Sequence, residues 1–202
     1  MKRVPFHYFR GPYRQTQLGE SCRAIDDLHQ QGKIERFGMS NLRNSEVEEC
    51  CDVCKSNGWI LPTVYLLRKL GISFYAYYPL AGGFFSRTIE QHRKQPAGGR
   101  FDQINFIKDM FVNDTSLKLY DMPTEACEKQ SVSLKEATLR YMMHNSALGP
   151  ENGVILGSSS VERMEENPVA CEGGVLPESA VSAFESLWTQ HTEAGHGPQY
   201  CI

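Results

Sequence analysis

The sequence predicts an α/β fold in which strands and helices alternate along the chain. Short apolar runs are followed by longer amphipathic segments, and this alternation is typical of βα units. The run 72–77 is β-branched and aromatic with almost no charge, which predicts a strand buried on both faces of a parallel sheet. The 202 residues suit a single domain, and we assign residues 1–202 to one.

The order of the elements follows from apolar spacing and from capping signals. Strands are predicted over 4–9, 34–39, 61–65, 72–77 and 154–156. Helices are predicted over 20–31, 45–57, 114–130, 133–145, 159–167 and 177–190. Capping boxes are expected at Ser45–Glu48, Ser133–Glu136 and Ser159–Glu162. Glycines and prolines make 79–101 a long loop, and loops of that length in compact domains are usually functional.

Charge and hydropathy exclude several classes of protein. The 21 basic and 24 acidic side chains give a net charge of −3, whereas nucleic-acid binders usually carry a basic surplus. The most apolar run, 72–85, is interrupted by Pro79, Gly82 and Gly83, so we expect protein core there and no membrane span. The residues after Met1 lack the apolar core of a signal peptide, and the cytoplasm is the expected compartment.

The seven cysteines agree with a reducing compartment, because their number is odd and their spacing irregular. Cys51 and Cys54 could be combined with His191 and His196 into a zinc site, since both pair spacings fall in the structural-zinc range. The two pairs are far apart in sequence, and the cysteines lie within a helical pattern. We therefore interpret the cysteines as buried thiols and expect no metal.

The first segment with groups that could do chemistry is Ser40–Asn41, at the carboxyl end of the strand 34–39. A hydroxyl and an amide at this position can read a small polar group. Ser-Asn after a strand is also a common helix cap, and the spacing alone favours the cap.

The second segment is 78–83, which follows the strand 72–77 and contains Gly82 and Gly83. Glycines directly after a buried strand let the backbone approach a ligand, and exposed N–H groups there suit a pyrophosphate. Taken alone, the pattern favours a plain loop with two glycines over a ligand-binding turn.

The third segment is 157–167, where Gly157 and three serines lead into a helix. The start of a helix presents free N–H groups and a positive dipole end, which favours an anion. Arg163 in the first turn adds a fixed charge suited to phosphate. The competing interpretation is a well-capped helix with a solvated arginine.

These segments together resemble the aldo-keto reductase superfamily, and within it the aflatoxin-aldehyde reductase-like branch. The resemblance rests on the order and spacing of four motifs: Gly38-Met39-Ser40-Asn41, the run 54–65 (CKSNGWILPTVY), the run 74–83 (FYAYYPLAGG) and the run 154–160 (VILGSSS). It extends over nearly the whole chain from about residue 4. The resemblance implies a (β/α)8 TIM barrel that binds NADP(H) across the carboxyl ends of its strands.

The resemblance also implies a role for each motif. Ser40 and Asn41 match the pair that holds the nicotinamide carboxamide, and the loop 78–88 matches the one over the pyrophosphate. Ser158 and Arg163 would read the 2′-phosphate, while Glu166 and Asn167 would read the adenine. The complete set of implied cofactor-binding residues is Ser40, Asn41, Tyr78, Pro79, Leu80, Gly82, Gly83, Ser158, Ser159, Ser160, Arg163, Glu166 and Asn167.

The sequence departs from the family pattern at the catalytic tetrad of tyrosine, lysine, aspartate and histidine, of which none is retained. Met1 aligns with the fourth strand of the barrel, beyond the first three members, and Arg10 occupies the histidine position. About 20 residues of family pattern are absent after Tyr65, at the junction with Leu66. Tyr8, Tyr13 and Tyr77 lack a lysine placed to lower their pKa.

The expected fold is therefore an incomplete barrel with about five of eight strands, whereas a typical barrel takes about 250 residues. Its bare strand edges predict aggregation or self-association. The expected function is NADPH-dependent reduction of an aldehyde or ketone: a reactive dialdehyde, a semialdehyde or a carbonyl of a natural-product pathway. The alternatives are an inactive homologue that binds a nucleotide or a partner protein, and a fragment of a longer active reductase. The expected partner is a small carbonyl substrate, with a homodimer as the oligomer common in this branch.

Overall fold

A computed structural model of the chain shows two compact units, one of residues 1–75 with 199–202 and one of residues 76–198. Each unit is described by itself. The structure describes residues 3–9, 11, 15–63, 73–94, 101 and 104–196.

The first unit is a strand–helix–strand–helix arrangement. Its elements are β1 (Val4–Phe9), α1 (Leu18–Gln30), β2 (Ile34–Met39) and α2 (Asn44–Asn57). β1 and β2 pair in parallel, in a register that runs from Val4 opposite Ile34 to Phe9 opposite Met39. Both strands and both helices were predicted from the sequence, and the bounds of the two strands are confirmed.

The core of the first unit lies among β2, α1 and α2. β2 is buried at Ile34, Phe37 and Met39, whereas β1 is largely exposed. The helices add buried cysteines and aliphatic residues: Cys22, Ile25, Val47, Cys50, Cys51 and Cys54. The buried Asp26 carboxylate accepts a hydrogen bond of 2.8 Å from the Ile60 backbone N–H, which fastens the chain after α2 to α1.

The second unit is mostly helical. It contains the short strands β3 (Tyr75–Ala76, at the boundary between the units) and β4 (Gly153–Val154), which form a two-stranded sheet. Its helices are α3 (Ile89–Lys94), α4 (Asn105–Phe111), α5 (Asp114–Leu119), α6 (Asp121–Glu128), α7 (Leu134–Arg140), α8 (Val161–Cys171) and α9 (Glu178–Glu193). A 3-10 turn spans Ala81–Ser86, and a π-turn spans Tyr141–Asn145.

Two apolar clusters hold the second unit together. The first contains Phe84, Phe101, Ile107 and Tyr120. His92 is buried against it: the imidazole stacks on the Phe84 ring at 4.5 Å, and its Nε2 lies 2.9 Å from the Phe84 carbonyl oxygen. The second cluster joins α6, α7 and α9 through Cys127, Ala137, Leu176, Ala180 and Phe184.

The α/β class is confirmed, and the barrel is incomplete. The described strands form two separate two-stranded sheets and no closed barrel. Of the predicted strand 61–65, residues 61–63 are not a strand, and Thr63 makes a single backbone hydrogen bond to Phe37. The strand predicted over 72–77 is regular only at Tyr75–Ala76, and Ile72 lies outside the described residues.

The prediction that the strand 72–77 is buried on both faces is wrong. Tyr75 is 44% exposed and Tyr77 52% exposed, while Ala76 between them is buried. The side chains of a strand alternate between the two faces of a sheet, so one face of β3 is covered and the other is not. Among the described residues no helix has the length and apolar character needed to cross a bilayer.

Local signals misplaced several helix ends. α2 begins after Arg43, whose N–H donates to the Glu46 carboxylate at 2.7 Å, so Ser45 is not the cap. Ser160 caps α8 in place of Ser159, whereas the predicted Ser133 cap of α7 is confirmed. α8 continues past Asn167 to Cys171, and the last helix ends at Glu193.

Two predicted segments have a different local structure. The stretch 79–101 is not a continuous loop, because Thr88 and Gln91 exchange hydrogen bonds that open α3. The helix predicted over 114–130 is broken at Tyr120 into α5 and α6. Pro123 has no N–H to donate to the carbonyl four residues earlier, and so a continuous helix loses a bond at this point.

Candidate functional site

The first predicted segment lies at the end of β2. The Ser40 N–H donates to the Phe9 carbonyl at 2.9 Å, which continues the β1–β2 ladder by one bond. Asn41 follows with a φ of 59°, in the left-handed region. Both side chains are partly exposed, and the next residue, Leu42, is fully buried and anchors the turn. Ser40 and Asn41 therefore place a hydroxyl and an amide side by side at the carboxyl end of the strand.

The second segment, 78–83, is a tight turn directly after β3. Tyr78 and Ala81 have φ values of 54° and 49°, and Gly82 and Gly83 have φ values of 67° and 106°. Backbone hydrogen bonds from Ala81 to Tyr78 and from Gly83 to Leu80 close the turn. A non-glycine residue with positive φ is uncommon, and such strain is concentrated at ligand-binding sites.

Gly82 is required by packing as well as by its backbone conformation. A Cβ atom at this position would lie 2.9 Å from Cγ2 of Ile107 and 3.3 Å from the Phe101 ring. At Gly83 a Cβ would meet nothing within 4 Å. The turn is thus packed against the aromatic cluster at Gly82, whereas the space around Gly83 is open.

The third segment forms the N-terminus of α8. Ser160 caps the helix by accepting a hydrogen bond of 3.4 Å from the Arg163 N–H. The Arg163 guanidinium folds back and donates to Ser159 Oγ at 3.0 Å. Ser158 Oγ donates to the Ser160 carbonyl at 2.8 Å and so fixes the turn before the helix. Three hydroxyls and one guanidinium therefore converge at the positive end of an 11-residue helix.

Glu166 and Asn167 lie one turn further along α8 and differ in their environments. The exposed Glu166 carboxylate forms an ion pair of 2.7 Å with Lys135 of α7, and the Lys135 hydrogen bond and charge lower the pKa of Glu166. Asn167 is buried, and its Oδ1 has no hydrogen-bond partner among the described residues. An unpartnered buried amide oxygen is uncommon and leaves an acceptor unused.

The strands that precede the second and third segments are neighbours in one sheet. The Ile155 N–H donates to the Ala76 carbonyl at 2.8 Å, so β3 and β4 are neighbours. The 78–83 turn follows β3, and the serines of α8 follow β4. Of the four described non-glycine residues with positive φ, three lie in the first and second segments: Asn41, Tyr78 and Ala81.

Some of the residues at which the sequence departs from the family's catalytic pattern lie outside the described residues. Arg10 and Tyr13 lie outside the described residues, as does the junction between Tyr65 and Leu66. Tyr8 on β1 is 46% exposed, and Tyr77 after β3 is 52% exposed.

The sequence interpretation missed two features of these surroundings. Lys135 is 31 residues from its partner Glu166, and no local pattern indicates that pairing. His92 is buried with Nδ1 unpartnered within the described part of the chain, and burial lowers the pKa of this imidazole. A capping box at Thr88 and Gln91 was readable from the sequence and would have placed α3.

Comparison with known proteins gives the family of the chain. The family model described as "Aldo/keto reductase family" matches residues 4–189. The chain belongs to the aldo/keto reductase family. The family consists of oxidoreductases that act on carbonyl groups, and the sequence resemblance is confirmed at this level.

Individual relatives agree with this membership. The chain is 37% identical to human aldo-keto reductase family 7 member A3, over 98% of this chain and 68% of the relative. It is 36% identical to human aflatoxin B1 aldehyde reductase member 4, over 99% of this chain and 68% of the relative. An aldo-keto reductase of Pseudocercospora fijiensis is 32% identical over 93% of this chain and 71% of its own length.

Proposed function

We propose that the chain binds NADP(H) and belongs to an NADPH-dependent reductase that converts an aldehyde or ketone to an alcohol. The observation that carries the proposal is the start of α8, where the Arg163 guanidinium lies against Ser159 Oγ at 3.0 Å. A planar guanidinium beside hydroxyls at a helix N-terminus suits a phosphate monoester. The 2′-phosphate is the group that distinguishes NADPH from NADH.

Each end of the cofactor has residues suited to it. Ser158 and Arg163 are proposed to hold the 2′-phosphate, with Ser159 orienting the guanidinium and Ser160 capping the helix. Glu166, exposed one turn further along α8 and paired with Lys135, is proposed to meet the adenine. Asn167, the next residue of the helix, is proposed to meet the adenine as well, which requires its side chain, 3% exposed without the cofactor, to become exposed on binding.

The remaining contacts are proposed for the turn after β3 and the corner after β2. The turn formed by Tyr78, Pro79, Leu80, Gly82 and Gly83 suits the pyrophosphate, because Gly83 lets the backbone approach without a Cβ in the way. Ser40 and Asn41 offer a hydroxyl and an amide for the nicotinamide carboxamide. When bound, NADPH supplies the hydride, and the residues of the chain bind and orient it.

The substrate is proposed to be a reactive carbonyl compound. Two of the similar human proteins are named as aflatoxin B1 aldehyde reductases, which supports an aldehyde. A dialdehyde, a small semialdehyde or a carbonyl of a natural-product pathway fits this class, in a cytoplasmic protein that could pair as a homodimer.

A second candidate is a catalytically inactive homologue that binds the nucleotide or a partner protein, or a fragment of a longer active reductase. The expectation in its favour, taken from the sequence resemblance, is that Arg10 stands at the family's histidine position and that residues 1–202 retain none of the family tetrad. An arginine can donate a hydrogen bond to a carbonyl but does not release its proton. General acid catalysis contributes about 10²–10⁴-fold, so we expect the chain alone to give no useful turnover.

The two candidates share cofactor binding and differ in turnover. Incubation of the chain with NADPH and a reactive aldehyde, followed by NADPH absorbance, separates them. Oxidation at the rate of ordinary members of the family would rule out the inactive homologue. Binding without oxidation would favour that homologue or a fragment.

Cofactor binding itself is tested by substitution at Arg163. Arg163→Ala should weaken NADPH binding by about 10–100-fold and leave NADH binding unchanged, since hydrogen bonds to charged groups contribute about 1.5–3 kcal/mol. Arg23→Ala removes an exposed arginine of α1 and is the matched control for net charge. Equal losses for both cofactors, or an unchanged preference, would contradict the assignment.

A further inference from the structure

Three cysteines that the proposed function does not use meet inside the first unit. Cys22 lies on α1, and Cys50 and Cys54 lie one turn apart on α2. Their exposed fractions are 2%, 0% and 0%. The three sulfur atoms all lie within 4.8 Å of one another, and Sγ of Cys22 is 3.0 Å from Sγ of Cys50.

The three thiols are enclosed in the core of the first unit. The sulfur atoms of Cys22 and Cys50 are at hydrogen-bond distance, and either S–H group can donate.

We propose that Cys22, Cys50 and Cys54 form an all-sulfur binding site for a single Cu(I) ion. Thiolates are soft ligands, and they select Cu(I), zinc and iron–sulfur clusters among the metals of proteins. The choice among these ions follows from the number of donors and their burial.

The sulfur positions are close to those that a metal ion needs. With metal–sulfur bonds of about 2.3 Å, three sulfurs around one ion lie about 3.8–4.0 Å apart. The Cys22–Cys50 distance must open by about 1 Å, and no pair exceeds 4.8 Å. Because each sulfur stands on the end of one rotatable bond, side-chain rotation supplies this change while the helices stay in place.

The donor set favours Cu(I) over zinc. Structural zinc sites are four-coordinate and tetrahedral. Among the described residues, no histidine or carboxylate joins the three sulfurs within the same 4.8 Å. Asp26, one turn after Cys22 on α1, is instead held by the Ile60 N–H. A buried trio without a fourth donor suits an ion of low coordination number.

Binding exchanges protons for the ion. Cu(I) forms bonds to two of the sulfurs, whose S–H protons leave to solvent, and the third sulfur coordinates as a thiol. One positive charge replaces two protons, so the cluster goes from neutral to −1, and no electron is transferred.

The test uses the full chain under anaerobic reducing conditions with Cu(I) in the presence of a competing chelator. The wild type should retain one equivalent of copper, show thiolate-to-copper ultraviolet absorption and melt at a higher temperature, because an ion bound only to the native state stabilises it. Zn²⁺ under the same competition should be retained more weakly.

Cys54→Ser should weaken Cu(I) binding by more than about 100-fold, beyond the effect usual for a partner outside the coordination sphere. Cys51→Ser is the matched control, since Cys51 is equally buried on the same helix but is not part of the trio. No retained copper, an unchanged wild-type melting temperature, equal losses in both variants or tighter Zn²⁺ binding would each overturn the proposal. The wild-type measurements remain decisive if Cys54→Ser does not fold.

Discussion

Replacement of Gly82 by alanine tests whether the 78–83 turn is held by packing in addition to its backbone conformation. Gly82 has a φ of 67°, in the left-handed region that L side chains rarely adopt. The new methyl group would lie 2.9 Å from Ile107 Cγ2 and 3.3 Å from the Phe101 ring. Ile107 and Phe101 are both buried, so neither has free space to withdraw into.

The two penalties have separate magnitudes. The left-handed backbone costs an alanine about 1–2 kcal/mol. Forcing an extra methyl into a packed site costs about 1–3 kcal/mol. Gly82→Ala should therefore lower the free energy of unfolding of the second unit by about 2–5 kcal/mol, from the backbone and packing ranges together.

Gly174→Ala is the matched control in the same unit. Gly174 has a φ of 78°, and a Cβ there would meet nothing within 4 Å, so only the backbone penalty applies. Urea unfolding followed by circular dichroism measures both variants. With an m-value of about 2 kcal/mol/M, the Gly82 variant should unfold at a midpoint about 0.5–1.5 M below the control. Coincident midpoints would refute the packing argument.

Three further predictions concern the cap of α7, the protonation of His92 and the exposed edge of β1. Ser133→Ala removes the cap of α7 and should lower the free energy of unfolding, measured in urea, by about 1 kcal/mol. Ser45→Ala should have no such effect, because Ser45 is not the cap of α2. Because burial lowers the pKa of His92, the unfolded state binds a proton more readily than the folded state. The free energy of unfolding should therefore fall as the pH drops below 6.5, and His92→Gln should flatten this dependence on pH. β1 pairs only with β2 among the described strands; the chain should self-associate on size-exclusion chromatography, and Tyr8→Lys should reduce this. Equal free energies of unfolding for Ser133→Ala and Ser45→Ala would contradict the first prediction. An unchanged pH dependence of stability in His92→Gln would contradict the second, and a monodisperse wild-type monomer would contradict the third.

The first unit was predictable because its signals are local. The runs 4–9 and 34–39 are short and apolar, and Gly32 follows the end of the helix between them, so each element follows from neighbouring residues. The three candidate segments were found because each follows a strand, and strand ends are visible as apolar runs that stop.

The second unit was harder to predict because its structure depends on contacts between distant residues. The run 72–77 is as apolar as a buried strand, yet only one face of β3 is covered, since the sheet contains just one partner strand. The pairing of Lys135 with Glu166 and the meeting of Cys22 with Cys50 join residues about 30 positions apart. Spacing within one helix cannot show which side chain of another helix it meets.

The central claim is tested most directly by the affinity of the chain for adenosine 2′,5′-bisphosphate compared with 5′-AMP, measured by isothermal titration calorimetry. Both fragments carry the adenine and a 5′-phosphate, and neither carries the nicotinamide, so the comparison isolates the phosphate on the 2′ oxygen. If Ser158 and Arg163 hold that phosphate, the 2′,5′-bisphosphate should bind about 10–100-fold more tightly, and Arg163→Ala should abolish the difference. Equal affinities for the two fragments would contradict the assignment of the α8 N-terminus to the 2′-phosphate.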